Sequence, residues 1–186
     1  MNMQISHDYY LIVDVEATCS DDGTVPRQEM EIIEIGAVMQ NSRTFEVESE
    51  FQTFVRPVRH PELTDFCTEL TGITGQQVVD APGFQVGLDA LRKWMGGYKN
   101  ALFCSWGDYD RKQFLQDCEY QNIEYPFGSE HLNIKAEFSR TLNLKKKLGI
   151  TEALRHFGLR FEGSHHRGLD DAKNMARVVR RVCMGR

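Results

Sequence analysis

The chain has 186 residues, 41% of them apolar, and a formal net charge of −5. That size and apolar content support one domain over residues 1–186, and the mild acidity excludes broad electrostatic attraction to nucleic acid or anionic membrane. No run approaches the roughly 20 apolar residues of a membrane-spanning helix, and the opening "MNMQISHDYY" lacks the regions of a secretion signal, so a soluble, cytoplasmic protein without a membrane partner is expected. Cys19, Cys67, Cys104, Cys118 and Cys183 are odd in number and lack a C-x-x-C pair, which argues against a disulfide framework or a zinc site and for reduced, mostly buried thiols.

In chain order, a first strand from about Tyr9 to Ala17 ends in the polar loop "TCSDDGTVPRQ". "EIIEIGAVMQ" and "TFEVESEFQTFVRP", separated by the turn "NSRT", complete a three-strand meander. "HPELTDFCTELTGIT" reads as a short helix stopped at Gly72, and "PGFQVGLDALRKWMGG" as a helix with Phe84, Leu88, Leu91 and Met95 on one face. "ALFCSW" is a short buried strand. It leads into the helix "DYDRKQFLQDCEYQ", with Phe114, Leu115 and Cys118 expected inward. A loop around Pro126 and Gly128 precedes helices "NIKAEFSRTL" and "TEALRHFG", and a long helix closes the chain from about Leu169 to Val182. The Lys145–Lys147 run reads as a solvated loop. Strands early and helices late, with crossovers between them, predict an α/β fold with a central mixed sheet packed by helices.

The first strand carries an anomaly. Side chains alternate across a strand, so Asp14 and Glu16 in "IVDVEAT" share one face while Val13 and Val15 share the other. Two like charges about 4 Å apart repel by roughly 4 kcal/mol at an effective dielectric near 20. A metal ion is the obvious counter-charge. Further along, "CSWGDYDRKQF" offers Asp110, which precedes Phe114 and Cys118 by helical spacing and so leans inward, while Asp108 suits an N-cap. In "SHHRGLDDAKNMARVVRRV", Asp171 aligns with Met175, Val178 and Val182 and points in. Asp170 aligns with Lys173, Asn174 and Arg177 and reads as a solvated ion pair. An inward carboxylate on an apolar face needs a partner. His166, five residues before Asp171 in a small, polar loop, suits proton transfer, with His165 as its rival.

Together, D-x-E on the first strand, "WGDYD" at a strand-to-helix junction and "HRGLDDA" near the C-terminus resemble the three motifs of the DEDDh family of 3′–5′ exonucleases, in the RNase T superfamily. "EIIEIGAV", "FCTELTGIT", "SWGDYD" and "HLNIK" are most similar to its Eri-type exoribonucleases and their bacterial relatives, without the extra N-terminal nucleic acid-binding segment that some larger members carry. The resemblance implies a ribonuclease H-like fold: a three-strand antiparallel meander plus parallel strands, flanked by α-helices. It implies metal binding by Asp14, Glu16, Asp110 and Asp171, with His166 as the catalytic base.

The activity implied is hydrolysis of phosphodiester bonds from the 3′ end of RNA or single-stranded DNA, with two divalent cations, Mg²⁺ or Mn²⁺, and release of nucleoside 5′-monophosphates. Oxygen-only donors fit such hard ions better than zinc. In similar enzymes Leu70, Thr71 and Ile73 would flank the terminal nucleotide, and Thr18 would hydrogen-bond the 3′ end. Trp106 and Tyr109 suit stacking of an unpaired base, although Trp106 equally suits core at a strand end. Arg27, Lys135 and Arg167 lie next to motifs and are candidates for phosphate contacts. A proofreading or repair deoxyribonuclease, or a non-catalytic nucleic acid-binding module on the same fold, are the rival readings.

Overall fold

The computed structural model describes residues 7–184, so the reading of the first six residues as a non-signal segment lies outside the described residues. Strands β1 (Tyr9–Ala17), β2 (Ile32–Asn41) and β3 (Val47–Phe54) form the antiparallel meander. Strands β4 (Ala101–Ser105) and β5 (His131–Asn133) add to the other edge in parallel, giving the order β3-β2-β1-β4-β5. The helices are α1 (Asp65–Thr71), α2 (Gly75–Val79), α3 (Phe84–Met95), α4 (Tyr109–Gln121), α5 (Ile134–Thr141), α6 (Ile150–His156) and α7 (Gly168–Met184). This is the mixed, helix-flanked sheet that the sequence predicts. Among the described residues no helix is long and apolar enough to cross a membrane.

β1 is central and buried on both faces, which explains its nearly continuous apolar run. Leu11, Val13 and Val15 pack with Phe84, Leu88 and Leu91 of α3 and Phe114 and Cys118 of α4. Tyr10 and Ile12 face the other way, onto Phe138 of α5, Leu154 of α6 and Met175 and Val178 of α7. Each large apolar side chain so enclosed contributes roughly 1.5–3 kcal/mol. Asp14 and Glu16 continue the Tyr10–Ile12 row and therefore emerge on the α7 side.

What brings α7 to that place is a glycine contact. Gly36 of β2 pairs with Asp14, and a Cβ built on it would sit 2.0 Å from the Gly168 carbonyl carbon at the start of α7. Any side chain there would force the helix off the sheet. Bare backbone on both sides lets the first turn of α7 lie beside β1, with the positive end of its dipole toward the carboxylates.

Several sequence expectations shift. The inward stripe of α4 is Asp110, Gln113, Phe114, Asp117 and Cys118, so Leu115 falls one step off it and is 41% exposed. Asn174, read as outward, is fully buried, and its amide bridges Glu162 of the histidine loop, donating to its carbonyl at 2.8 Å and accepting from its N–H at 3.2 Å. The Asp170 carboxylate pairs with neither Lys173 nor Asn174, although Asn174 Nδ2 donates to the Asp170 backbone carbonyl at 2.8 Å. The carboxylate instead accepts from the Ser164 N–H at 2.8 Å, while Lys173 reaches Glu50. Asp108 holds the N-cap position of α4 without a capping bond, because its carboxylate accepts from Asn133 Nδ2 at 3.2 Å. The three-residue β5 and the five-residue α2, capped by Thr74 and Gln77, are too short for a periodic signal.

Candidate active site

Three elements converge at the α7 end of β1. Asp14 and Glu16 come from the strand and Asp171 from the first turn of α7. One donor oxygen from each lies within 4.8 Å of the other two. In octahedral Mg²⁺ coordination, oxygens at about 2.1 Å from the ion span up to about 4.2 Å, so small side-chain adjustments close this set around a hard divalent cation. The fourth acid, Asp110, stands in the first turn of α4 and lines the same cleft, its Oδ1 accepting from the Val15 N–H at 3.1 Å. That bond ties α4 to β1 from behind the site.

The electrostatics suit a site that binds a cation. Burial, then Asp110, Glu16 and Asp171, drive the Asp14 carboxyl well above the usual carboxylate range. Glu16 is pushed up to about 9 by burial, then by Asp171 and Glu34. Asp110 and Asp171 rise to about 6, burial being the largest cause in each. For Asp171 the nearby His165 and the backbone donors Arg167 and His166 pull the other way. Acids this crowded keep protons until a cation replaces them, and the all-oxygen donor set fits a divalent metal centre.

The histidine loop leans over this cluster. His166 adopts a left-handed φ of 64°, and its ring centroid lies 4.0 Å from that of His165. His165 Nε2 is 3.6 Å from Asp171 Oδ1, with its side chain still 45% exposed. His166 is half-buried, and burial followed by the neighbouring His165 lowers its pKa, which keeps the imidazole neutral. Both rings line the cleft.

Glu34 anchors the loop from below. It faces Glu16 across the β1–β2 ladder, is fully buried, and is a fifth carboxylate at this end of the sheet. Its oxygens accept from Arg167 Nε at 3.1 Å, the Gly168 N–H at 3.2 Å and Gln52 Nε2. The Arg167 N–H meanwhile donates to Asp171 Oδ2 at 3.1 Å. One residue thus connects the buried acid, the histidine loop and a metal-facing carboxylate. Arg167, expected at a phosphate, is committed to Glu34 by its guanidinium.

The cleft holds about 360 Å³. Its walls include Leu70, Trp106 and Tyr109, with Cys19, Met30 and Ile150 unforeseen by the sequence. Trp106 packs against Phe138 and also lines the cleft. The Arg27 guanidinium lies 4.7 Å over the Tyr109 ring, at the rim.

Other expected contacts lie outside the lining. Thr18 Oγ1 is buried and accepts from the Glu31 N–H at 2.9 Å. Thr71 Oγ1 donates to the Cys67 carbonyl and accepts from the Ile73 N–H, while Ile73 is wholly enclosed with Ile33 and Val78. These three support the α1 shoulder on which Leu70 stands. Lys135 lies in the first turn of α5, away from the lining. Ile150 and Met30 were invisible in the sequence because ordinary core residues carry no polar anomaly. Glu34 did carry the signal, an acid within an apolar strand.

Comparison with known proteins bears on this geometry. A model of the family RNase_T, described as exonuclease, matches residues 11–179. The chain is 36% identical to 3′-5′ exoribonuclease 1 of Homo sapiens over 95% of its own length and 52% of that protein. It is 34% identical to ERI1 exoribonuclease 2 of Xenopus laevis, covering 96% of this chain and 29% of the relative, so it spans about half or less of these curated proteins. Among solved structures, the nuclease domain of 3′hExo, described as a DEDDh family member bound to rAMP, superposes with a TM-score of 0.90 at 35% identity, covering 97% of this chain and 94% of that one. The cell-death related nuclease CRN-4, at 21% identity and a TM-score of 0.82 over 96% of this chain and 65% of that one, shares the fold. The chain belongs to the RNase_T exonuclease family, on its Eri-type DEDDh branch.

Proposed function

We propose that this chain removes nucleotides from the 3′ end of RNA, and less readily of single-stranded DNA, as nucleoside 5′-monophosphates. The observation that carries the reading is the meeting of Asp14, Glu16 and Asp171 oxygens within 4.8 Å, in a cleft that His166 also lines. The preference for RNA draws on the relatives, which are named exoribonucleases.

Asp14, Glu16 and Asp171, with Asp110 alongside, would hold two divalent cations, Mg²⁺ or Mn²⁺, which when bound supply Lewis-acid activation of water and neutralise charge at the phosphate. His166 takes the proton of the attacking water, a role that needs the free imidazole which burial favours. His165, held near Asp171, is the lesser candidate for that step. Leu70, Trp106 and Tyr109 receive the last base and sugar, and Arg27 stands at the rim for the next phosphate. Arg167 keeps Asp171 and the histidine loop in register through Glu34. The cysteines, all free, fit a reducing, cytoplasmic setting.

The test uses matched RNA and DNA oligonucleotides, single- and double-stranded, labelled at one end. With Mg²⁺ or Mn²⁺ the 5′-labelled strand should shorten stepwise from its 3′ end, and EDTA should stop the reaction. His166→Ala should lose about 10²–10⁴-fold in rate, and His165→Ala much less. A reversed preference, for DNA, would favour a repair nuclease. Binding without any product would leave only a nucleic acid-binding module.

A further inference from the structure

Two acids stand side by side at the start of α7, and the cleft accounts for only one of them. Asp171 turns to the metal-facing cluster. Asp170 is half-buried, and its Oδ2 accepts from the Ser164 N–H at 2.8 Å. Ser164 belongs to the loop that carries both histidines, so this bond fastens that loop to α7. The loop is shaped for it. Gly163 has a φ of 84°, and a Cβ built there would lie 2.4 Å from Asp170 Cγ and Oδ2. Only a residue without a side chain lets the carboxylate come so close.

One helical turn further on, Asn174 holds the same loop at Glu162. Both donors and both acceptor positions of its amide are filled. Nδ2 donates to the Glu162 and Asp170 carbonyls, each at 2.8 Å, and Oδ1 accepts from the Glu162 N–H at 3.2 Å and from Arg177 Nη1 at 2.8 Å. Arg177 Nη2 also reaches the Glu162 carboxylate at 2.7 Å. On the far side of the histidines, the Arg167 N–H donates to Asp171 Oδ2 at 3.1 Å. His165 and His166 therefore stand between two tethers, Ser164 on Asp170 and Arg167 on Asp171.

We propose that Asp170 is a positioning residue for the proton-transfer step: its bond to the Ser164 N–H, seated on Gly163 and backed by Asn174, sets where His166 stands in the cleft. The tether itself is independent of the exonuclease reading, whereas its effect on rate rests on His166 being the base. The chain between the two tethers is short, so fixing both ends leaves the backbone of the histidines little freedom. His166 holds a left-handed φ of 64°, which is unfavourable for a residue with a side chain and persists only where its surroundings impose it. With the Ser164 tether cut, the loop can relax that angle and carry the imidazole away. A misplacement near 1 Å at a reacting site costs on the order of 10²-fold in rate. Asp170 acts through the loop alone.

The experiment compares Asp170→Ala with Asp170→Asn, which drops the charge but keeps an oxygen for the Ser164 N–H. With Mg²⁺, Asp170→Ala should lower kcat for oligonucleotide shortening by on the order of 10²-fold with KM little changed, and Asp170→Asn should keep most of the rate. Gly163→Ala, whose Cβ displaces the carboxylate, should lose as much as Asp170→Ala. In a His166→Ala background, Asp170→Ala should cost almost nothing further, because the group it positions is gone. Equal losses in the two backgrounds overturn the positioning role, and so does an Asp170→Asn variant as slow as Asp170→Ala. Amide exchange of the metal-free protein reads the tether without any activity: the Ser164 N–H should exchange about 10-fold faster or more in Asp170→Ala than in the unaltered chain. Exchange equally fast in both overturns the tether. Should His166→Ala cleave normally, the base reading falls and the effect on rate with it, while the exchange still decides the tether, so the two readings fail separately.

Discussion

Two groups of buried acids lie close together in this protein and are treated oppositely. Glu31, just before β2, is 2% exposed and accepts from the N–H groups of Val58, Arg59 and His60, at 3.0, 2.6 and 3.1 Å. Its neighbour Asp117 accepts from the Ile32 N–H at 2.7 Å and Gln113 Nε2 at 3.1 Å, with the Arg59 guanidinium 3.7 Å away. At the other group, no hydrogen bond among the described residues reaches the carboxylates of Asp14 or Glu16, and only burial and like charges act on them. Donors supplied by the protein make an acid structural. Donors withheld leave it open to a cation.

The sharpest way to break this contrast is to swap outcomes between the groups. Asp14→Ala should abolish oligonucleotide shortening, a loss beyond the roughly 10²–10⁴-fold expected for removing a general base, while thermal unfolding of the metal-free protein stays unchanged or improves. If that variant cleaved normally, the open group would not be catalytic. Glu31→Ala should do the reverse: it orphans three backbone N–H groups and Arg59, so urea unfolding should show about 3–5 kcal/mol of lost stability, with the metal requirement of the folded fraction intact.

Glu34 tests the boundary, since it is saturated by donors yet touches the open group. Glu34→Gln should lower kcat by about 10–100-fold with KM little changed, because the histidine loop and Asp171 lose their anchor while the base pocket remains.

The smallest effect is on stability against pH. Each cleft carboxyl holds its proton more tightly in the folded chain than in the unfolded one, so its contribution is full below the usual carboxylate range. It is lost as pH climbs through about 6 for Asp110 and Asp171 and about 9 for Glu16. Asp117, raised to about 7 by burial, adds in the same direction. The metal-free protein should therefore melt lower at pH 9 than at pH 5. Mn²⁺ at about 100 times its dissociation constant should restore roughly 5–10 °C, more at the higher pH. A melting temperature indifferent to both would mean that the open group is not strained by its own charge.

Much of this was legible in the chain. The D-x-E pair could be placed on one strand face because side-chain alternation is a local property of the backbone. Asp110 and Asp171 could be told from Asp108 and Asp170 because helical spacing aligns them with Phe114 and Met175. The same rule misplaced Leu115 and Asn174. Periodicity assigns a face to a helix but does not say how wide the packed stripe is, and Asn174 is drawn inward by a loop that spacing cannot foresee.

By itself the sequence determined the mixed sheet and the family of the site, since both rest on local pattern and residue type. Only the tertiary structure decided which groups became partners: Arg167 on Glu34 rather than toward a phosphate, Thr18 on Glu31, Gly36 against Gly168. Those choices depend on distances between segments far apart in the chain, and such distances exist only once the sheet has closed and α7 has packed across it.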